Sequence, residues 1–286
     1  MKPEFQKIKV NKIDIQVAIW KGNGKNVFCV HGISSNCRVW DNIAKNLAPE
    51  HTVYAIDLRG RGRSDKPLKG YSMKIHCKDI QEVIDKLNIK PVVFMGHSLG
   101  AYIGIVFTAL YPEYVKKLIL FDGGAKLNPI QTMKVFQSIK HSLNRLGKIY
   151  NSFEEYISEM KKAPFLQPWQ DYFEDYYKYE VEFLENGKVK PLTPPYVIEE
   201  ESKNLTKENA NDYYPKLKCP VYILRATEGM ITDDDLLLPE NAVKNMLKKI
   251  RNAKLINIEG TNHYSIAFHP NSERDKILKK ILNNEI

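Results

Sequence analysis

Residues 91–112, PVVFMGHSLGAYIGIVFTALYP, join a strand-like run directly to a helix-like run. The run at residues 92–95 is short, apolar and begins with two β-branched residues, which predicts a buried strand. The run at residues 99–111 is too long for one strand and predicts a buried helix. Between them lies Gly-x-Ser-x-Gly, centred on Ser98. A serine on so sharp a turn has a strained backbone, and its hydroxyl projects from the sheet toward a substrate.

The pentapeptide around Ser98 also fits a second interpretation. Glycine and serine are common in loops between strands and helices, so Ser98 could simply cap the following helix. The pattern alone leaves both interpretations open, and the rest of the chain has to decide between them.

The bulk properties of the chain predict a single α/β core that carries an insertion. The 286 residues are 43% hydrophobic, which is enough to fill a sizeable core. The first residues contain no apolar stretch typical of a signal peptide. No run approaches the roughly 18 uninterrupted apolar residues of a membrane span. Four cysteines lie far apart without a Cys-x-x-Cys pair, so we expect a reduced, cytoplasmic chain without a metal site.

The charge of the chain is strongly positive but evenly spread. Lysine and arginine number 43 against 34 acidic residues, which gives a net charge of +9. The lysines are scattered among acidic residues along the whole chain instead of forming one arm or stripe. This distribution favours a solvated surface over a nucleic-acid footprint.

Strand-like and helix-like runs alternate along most of the chain. This alternation predicts a mostly parallel sheet with helices on both faces. Ligands bind to such sheets beyond the carboxyl ends of the strands. The polar residues of interest follow predicted strands at those ends, namely His31, Asp57, Ser98 and Asp122.

Residues 125–214, called the cap segment below, have a different pattern. The segment shows helical periodicity, a crowd of aromatic residues at 165–183 and no buried strand pattern. We therefore predict an α-helical cap inserted over the strand ends, with residues 1–124 and 215–286 forming the core. We expect most of the aromatic rings to pack within the cap and two or three to face a pocket.

A nucleophilic serine needs a base within hydrogen-bond reach and a carboxylate that orients the base. On this kind of sheet the chain order is serine, acid, histidine. His141 lies inside the cap segment, and His269 directly precedes a proline, as a residue at a helix start does. His263 directly follows the last predicted strand, where a loop can reach over Ser98, so it is the predicted base.

Four ordered motifs resemble the α/β-hydrolase fold family, in particular esterase-type serine hydrolases with a helical cap. They are His31-Gly32, the DLRGRGRS run at 57–64, the GHSLG run at 96–100 and a late Asn262-His263. The resemblance covers nearly the whole chain and is weakest in the cap segment. It implies an oxyanion hole formed by the backbone N–H groups of Leu99 and Ile33. The 57–64 run has no complete Gly-x-Gly-x-x-Gly before a helix, so we interpret it as a structural turn whose arginines form ion pairs.

The acid is the residue that the sequence leaves open. Relatives usually carry it as Gly-x-x-Asp in the loop after the strand that matches residues 219–226. Here that loop reads Ala-Thr-Glu-Gly, so a glycine stands at the expected position. A known variant of the family instead uses the end of the preceding strand, which is Asp122. Asp122 is our first choice and Glu228 the alternative, followed by the cluster Asp233, Asp234 and Asp235.

These residues predict a serine hydrolase that acts on small, partly apolar carboxylic esters without a metal or organic cofactor. The same residues would suit a lactonase, a carbon–carbon bond hydrolase or a perhydrolase. A ligand sensor on a hydrolase fold is an alternative of another class. We expect a small-molecule ester as the partner, no nucleic acid or membrane, and a monomer or homodimer.

Overall fold

The computed structural model describes residues 1–286, and its centre is an eight-stranded sheet. The spatial order of its strands is β1-β2-β4-β3-β5-β6-β9-β10, and a separate two-stranded sheet contains β7 and β8. The ten strands are β1 (Glu4–Val10), β2 (Ile13–Trp20), β3 (Asn26–Val30), β4 (Thr52–Ile56), β5 (Val92–His97), β6 (Val115–Phe121), β7 (Val181–Phe183), β8 (Val189–Pro191), β9 (Val221–Ala226) and β10 (Ala253–Ile258).

The large sheet is parallel from β4 to β10, and only β1 and β2 run antiparallel to their neighbours. Side chains alternate between its faces, so Val93 and Met95 of β5 enter one buried apolar cluster while Val92 and Phe94 enter another. Both faces of the sheet are therefore covered, as expected for a parallel sheet. This architecture confirms the predicted fold class.

Helices of the core lie on both faces of the sheet. Apolar residues of α2, α3 and α9 belong to one buried cluster, whereas those of α1, α10 and α11 belong to the other. The ranges of these helices are α1 (Asp41–Leu47), α2 (Met73–Leu87), α3 (Leu99–Leu110), α9 (Glu240–Lys249), α10 (Ser265–Phe268) and α11 (Ser272–Asn283). No helix is both long enough and apolar enough to cross a bilayer.

The cap segment is mainly helical, and most of its buried apolar residues join the apolar cluster of α1 and α11. Its helices are α4 (Pro129–Ser138), α5 (Lys140–Asn144), α6 (Phe153–Met160), α7 (Tyr172–Glu180) and α8 (Pro195–Leu205). The predicted α-helical segment also contains two short strands, since β7 and β8 pair as an antiparallel hairpin. The turn contains Asn186 and Gly187, both with positive φ, and an Asn-Gly pair is a strong hairpin signal.

Candidate active site

Ser98 occupies the sharp turn between β5 and α3. Its φ and ψ of 55° and −115° lie outside the regions that ordinary residues prefer, and its side chain makes no capping hydrogen bond to α3. The turn can close because its glycines have no Cβ atom, so that neighbouring backbone segments approach each other closely. A Cβ on Gly96 would lie 2.2 Å from the carbonyl oxygen of Gly100, and a Cβ on Gly100 would lie 2.1 Å from that of Val30. This geometry disfavours the interpretation of Ser98 as a plain helix cap.

His263 and Asp122 lie in hydrogen-bond contact. The Nδ1 atom of His263 is 2.8 Å from Oδ2 of Asp122, and both side chains are almost completely buried. Asp122 directly follows β6 and has a φ of 41°. Its backbone N–H donates to the carbonyl of Leu224, and its Oδ1 accepts from the N–H of Ala226 at 3.2 Å. The neighbouring strand β9 therefore fixes this carboxylate from two sides.

The other acids proposed from the sequence do not contact His263. The Glu228 side chain is exposed and makes no hydrogen bond, and Asp233 is exposed as well. Asp234 forms an ion pair with Lys134. Asp235 accepts hydrogen bonds from three backbone N–H groups of its own loop and from the hydroxyl of Ser138.

Three other histidines, His141, His269 and His97, have surroundings that differ from those of His263. His141 lies in α5 and lines the cavity above Ser98, while its Nε2 atom is buried without a partner. His269 directly follows α10, and burial lowers its pKa. His97, the residue before Ser98, lies against His263 with ring centroids 4.6 Å apart.

His97 also holds the loop that carries His263. Burial lowers the pKa of His97 well below its usual value, so the ring is neutral. Its Nε2 lies 2.8 Å from the carbonyl oxygen of His263, and this contact requires the Nε2–H tautomer to donate. His97 was not singled out from the sequence, although its position beside Ser98 could have drawn attention to it.

The backbone N–H groups of Ile33 and Leu99, which were proposed for the oxyanion hole, make no hydrogen bond within the chain. The peptide plane that carries the Ile33 N–H is fixed through the Gly32 carbonyl. His31 accepts from the Leu58 N–H at its Nε2, so its Nδ1 carries the proton and donates to the Gly32 oxygen at 2.7 Å. Burial lowers the pKa of His31 to about 3, which keeps this tautomer neutral.

Ser98 borders two cavities. One lies between the core and the cap segment, occupies about 760 Å³ including its mouth, and also contacts His97 and His263. Three rings of the aromatic run line it, those of Phe165, Tyr176 and Tyr177. The second cavity is more open, occupies about 610 Å³ including its mouth, and is lined almost entirely by apolar residues such as Leu127, Phe136 and Leu205.

The 57–64 run forms a structural turn. The Asp57 carboxylate accepts from the backbone N–H groups of Cys37 and Arg63 and from the hydroxyl of Tyr179, each at 2.7 Å. Burial raises the pKa of Asp57, whereas these three hydrogen bonds oppose the rise. Arg59 pairs with Asp79 and Arg61 with Glu201. No group of three or more His, Cys, Asp or Glu side chains is arranged to hold a metal ion.

The sequence profile of the α/β-hydrolase fold matches residues 25–270, which is most of the chain. The chain belongs to the α/β-hydrolase fold family. This membership confirms the resemblance seen in the sequence motifs and assigns the chain to a family of hydrolases.

Curated proteins match part of the chain. It is 33% identical to the 2-(acetamidomethylene)succinate hydrolase of Mesorhizobium japonicum over 117 residues, which is 41% of this chain and 42% of that protein. It is 30% identical to the 3-hydroxybutyrate-oligomer hydrolase of Cupriavidus necator over 162 residues, 52% of this chain and 55% of that protein. An uncharacterized protein of Mycobacterium tuberculosis is 36% identical over 103 residues, 36% of this chain and 30% of that protein. The chain thus spans about a third to a half of the length of these relatives.

Solved structures match almost the whole α/β-hydrolase chain. The crystal structure of E-2-(acetamidomethylene)succinate hydrolase has a TM-score of 0.85 and 21% identity, and the match covers 98% of this chain and 99% of that one. A thermophilic esterase from Thermogutta terrifontis has a TM-score of 0.72 and 19% identity, with 98% of each chain covered. At these identities the likeness supports the fold alone.

Proposed function

We propose that the protein is a serine hydrolase of carboxylic esters, with Ser98 as nucleophile, His263 as base and Asp122 as the orienting acid. The observation that carries the proposal is the His263–Asp122 hydrogen bond at the cavity that Ser98 borders. Glu228, the alternative acid, has no contact with His263. Nδ1 of His263 faces Asp122, which leaves Nε2 available to accept the serine proton.

The proposed reaction has two halves. Ser98 Oγ attacks the ester carbonyl while His263 takes its proton, and the resulting oxyanion accepts hydrogen bonds from the Ile33 and Leu99 N–H groups. His263 then protonates the departing alcohol. In the second half His263 activates a water molecule, which attacks the acyl-enzyme and releases the acid and Ser98. The Asp122 carboxylate stabilises the imidazolium in both halves.

The cavity charges support uncharged ester substrates. Arg145 is the cationic residue that lines the cavity between core and cap segment, and Glu180 binds its guanidinium at 2.5 and 2.9 Å. Other guanidinium N–H groups donate to the carbonyls of Ser34 and Ser142. Since this cation is already neutralised, an anionic substrate would gain little from it. The apolar second cavity suits an acyl or alcohol chain.

A fluorophosphonate probe followed by mass spectrometry tests the nucleophile. We expect one adduct, on Ser98, and none in Ser98→Ala. Ser142→Ala is the matched control, because Ser142 lines the same cavity while its hydroxyl forms a hydrogen bond with Tyr264. This variant should keep the adduct. Undiminished esterase activity in Ser98→Ala would refute the mechanism.

A panel of p-nitrophenyl esters tests the substrate class. We expect uncharged esters of short or medium chain length to have higher kcat/KM than esters with a carboxylate on the acyl chain. A clear preference for the anionic esters would contradict the proposed pocket chemistry.

A further inference from the structure

Three successive carbonyl groups of the loop after β3 accept hydrogen bonds from buried side chains. This loop, residues 32–35, is called the oxyanion loop below because it carries the Ile33 N–H. The Gly32 oxygen accepts from His31. The Ile33 oxygen accepts from Nε of Arg61 at 3.0 Å, and the Ser34 oxygen accepts from Nη2 of Arg145 at 2.7 Å. Two arginines thus hold adjacent peptide groups of the loop.

Arg61 is held in turn by the cap segment. Its guanidinium pairs with Glu201 of α8, and both side chains are fully buried. Burial alone would raise the pKa of Glu201, but the charge of Arg61 and the hydrogen bonds from Arg61 and His76 outweigh burial and lower it to about 2. His76 of α2 binds the other oxygen of Glu201 at 2.9 Å. The carboxylate is therefore charged at neutral pH and fixed on both sides.

Arg145 reaches the loop from the cap segment itself. It follows α5 and pairs with Glu180, the last residue of α7, and both side chains are at least 95% buried. Burial disfavours its charge, but Glu180 outweighs burial and raises the pKa of Arg145 well above its usual value. The Tyr156 hydroxyl donates to the same carboxylate at 2.8 Å.

Buried ion pairs are costly because both partners lose their hydration, so they are poor devices for stability alone. An oxyanion hole, in contrast, requires donors that are aligned before charge develops. The Ile33 N–H lies in the peptide group of the Gly32 carbonyl, and the Ile33 and Ser34 carbonyls belong to the next two peptide groups. A displacement of these two groups would move the Ile33 N–H through the Cα atom of Ile33 that joins them. A guanidinium that is fixed by a carboxylate resists such displacement, since its donors lie in one rigid plane.

We propose that Arg61 and Arg145, fixed by Glu201 and Glu180 of the cap segment, are positioning residues that act together with His31 to set the direction of the Ile33 N–H. This inference rests on the proposed function. It makes the cap segment part of the oxyanion hole, in addition to a wall of the cavity. Arg61 provides the cleaner test, because it does not line the cavity.

The test compares Arg61→Lys and Arg145→Lys with Arg59→Lys. Lysine keeps the charge but cannot bind a carboxylate and a carbonyl with a rigid fork. Arg59 is the matched control, since it forms a buried pair with Asp79 at 2.5 Å but does not touch the oxyanion loop. We expect kcat to fall about 10- to 100-fold in the two test variants with KM changed less than about twofold, as for a small misplacement of a catalytic group. Arg59→Lys should keep its kcat.

A comparison of an ester with its thiono analogue separates positioning from a general loss of structure. The thiono sulfur gains less from the two N–H donors than oxygen does, so a misaligned loop should slow the oxygen ester more. A purely structural defect would slow both substrates by the same factor. Equal slowing, or kcat values that match Arg59→Lys, would overturn the proposal.

Hydrogen exchange tests the loop without any substrate. The Ser35 N–H donates to the Gly32 oxygen at 3.3 Å, and its exchange should accelerate in Arg61→Lys and Arg145→Lys but not in Arg59→Lys. Glu201→Gln and Glu180→Gln should also accelerate the exchange of the Ser35 N–H. These two variants serve as the test if an arginine variant fails to fold. Unchanged exchange in all four variants overturns the inference. Absence of the Ser98 adduct in the wild type refutes the proposed function instead.

Discussion

The ends of strands β6 and β9 differ in how they hold their acids. The two strands are parallel neighbours, and Phe121 at the end of β6 lies opposite Leu224 of β9. Asp122 follows β6 at once and is bound by β9 through its backbone and side chain. The loop after β9 places Glu228 in solvent and uses Asp235 to close itself. An acid that orients a histidine has to be held in place, and at these two strand ends only Asp122 is both held by the neighbouring strand and in contact with His263.

The largest expected effect is a loss of kcat on substitution of Asp122, at the end of β6. Asp122→Asn should lower kcat by about 10⁴-fold, because the amide favours the wrong tautomer of His263 and cannot stabilise the imidazolium. Steady-state kinetics with a p-nitrophenyl ester measure the loss, and circular dichroism checks that the variant is folded. Activity near that of the wild type would transfer the role to another carboxylate or to a Ser–His pair.

A smaller effect, a loss of stability, is expected from substitution of Asp235, the buried acid in the loop after β9. Asp235→Asn should lower the free energy of unfolding by roughly 1–3 kcal/mol, since an amide cannot accept all the hydrogen bonds that the carboxylate accepts. Denaturant titration measures this change. Asp233→Asn, at an exposed position, is the control and should be neutral. A large loss of kcat in folded Asp235→Asn would mean that this loop contributes to the chemistry.

The smallest effect is expected at Glu228. Glu228→Gln removes an exposed charge without a partner, so unfolding free energy should change by less than about 0.5 kcal/mol. The kcat value should stay within error of the wild type in the same ester assay. A loss comparable to that of Asp122→Asn would show that the loop moves to His263 during the reaction.

The strand–turn–helix at Ser98 could be predicted from sequence because its causes are local. Apolar runs and flanking glycines predicted the turn at Ser98. The order of serine, acid and histidine along the chain predicted His263 as the base. The choice of Asp122 depends on the register of β6 against β9 and on the path of the loop after β10. Neither property is encoded in a short motif, so the sequence left three sets of acids open.

Two other features were missed in the sequence, for different reasons. Glu201 lies 140 residues from Arg61 along the chain, and an isolated glutamate in a helical run looks like a solvated residue. Only tertiary packing brings the two together. The β7–β8 hairpin had a local signal in Asn186-Gly187, but its strands have only three residues each and lie in a charged, aromatic stretch. The helical periodicity around it dominated the prediction.

Two buried histidines, His31 and His97, limit what a pH titration of the enzyme can report. Burial lowers the pKa of His31 to about 3 and that of His97 well below its usual value, so neither ring takes up a proton in mildly acidic solution. Neither ring should therefore add a protonation step to the acid side of a plot of log kcat/KM against pH, wherever the chain stays folded. Protonation of either ring in mildly acidic solution, followed by NMR of its imidazole signals, would contradict this expectation. The same two rings bind protons only after unfolding, so stability should fall as the pH drops below about 6.5 toward 3.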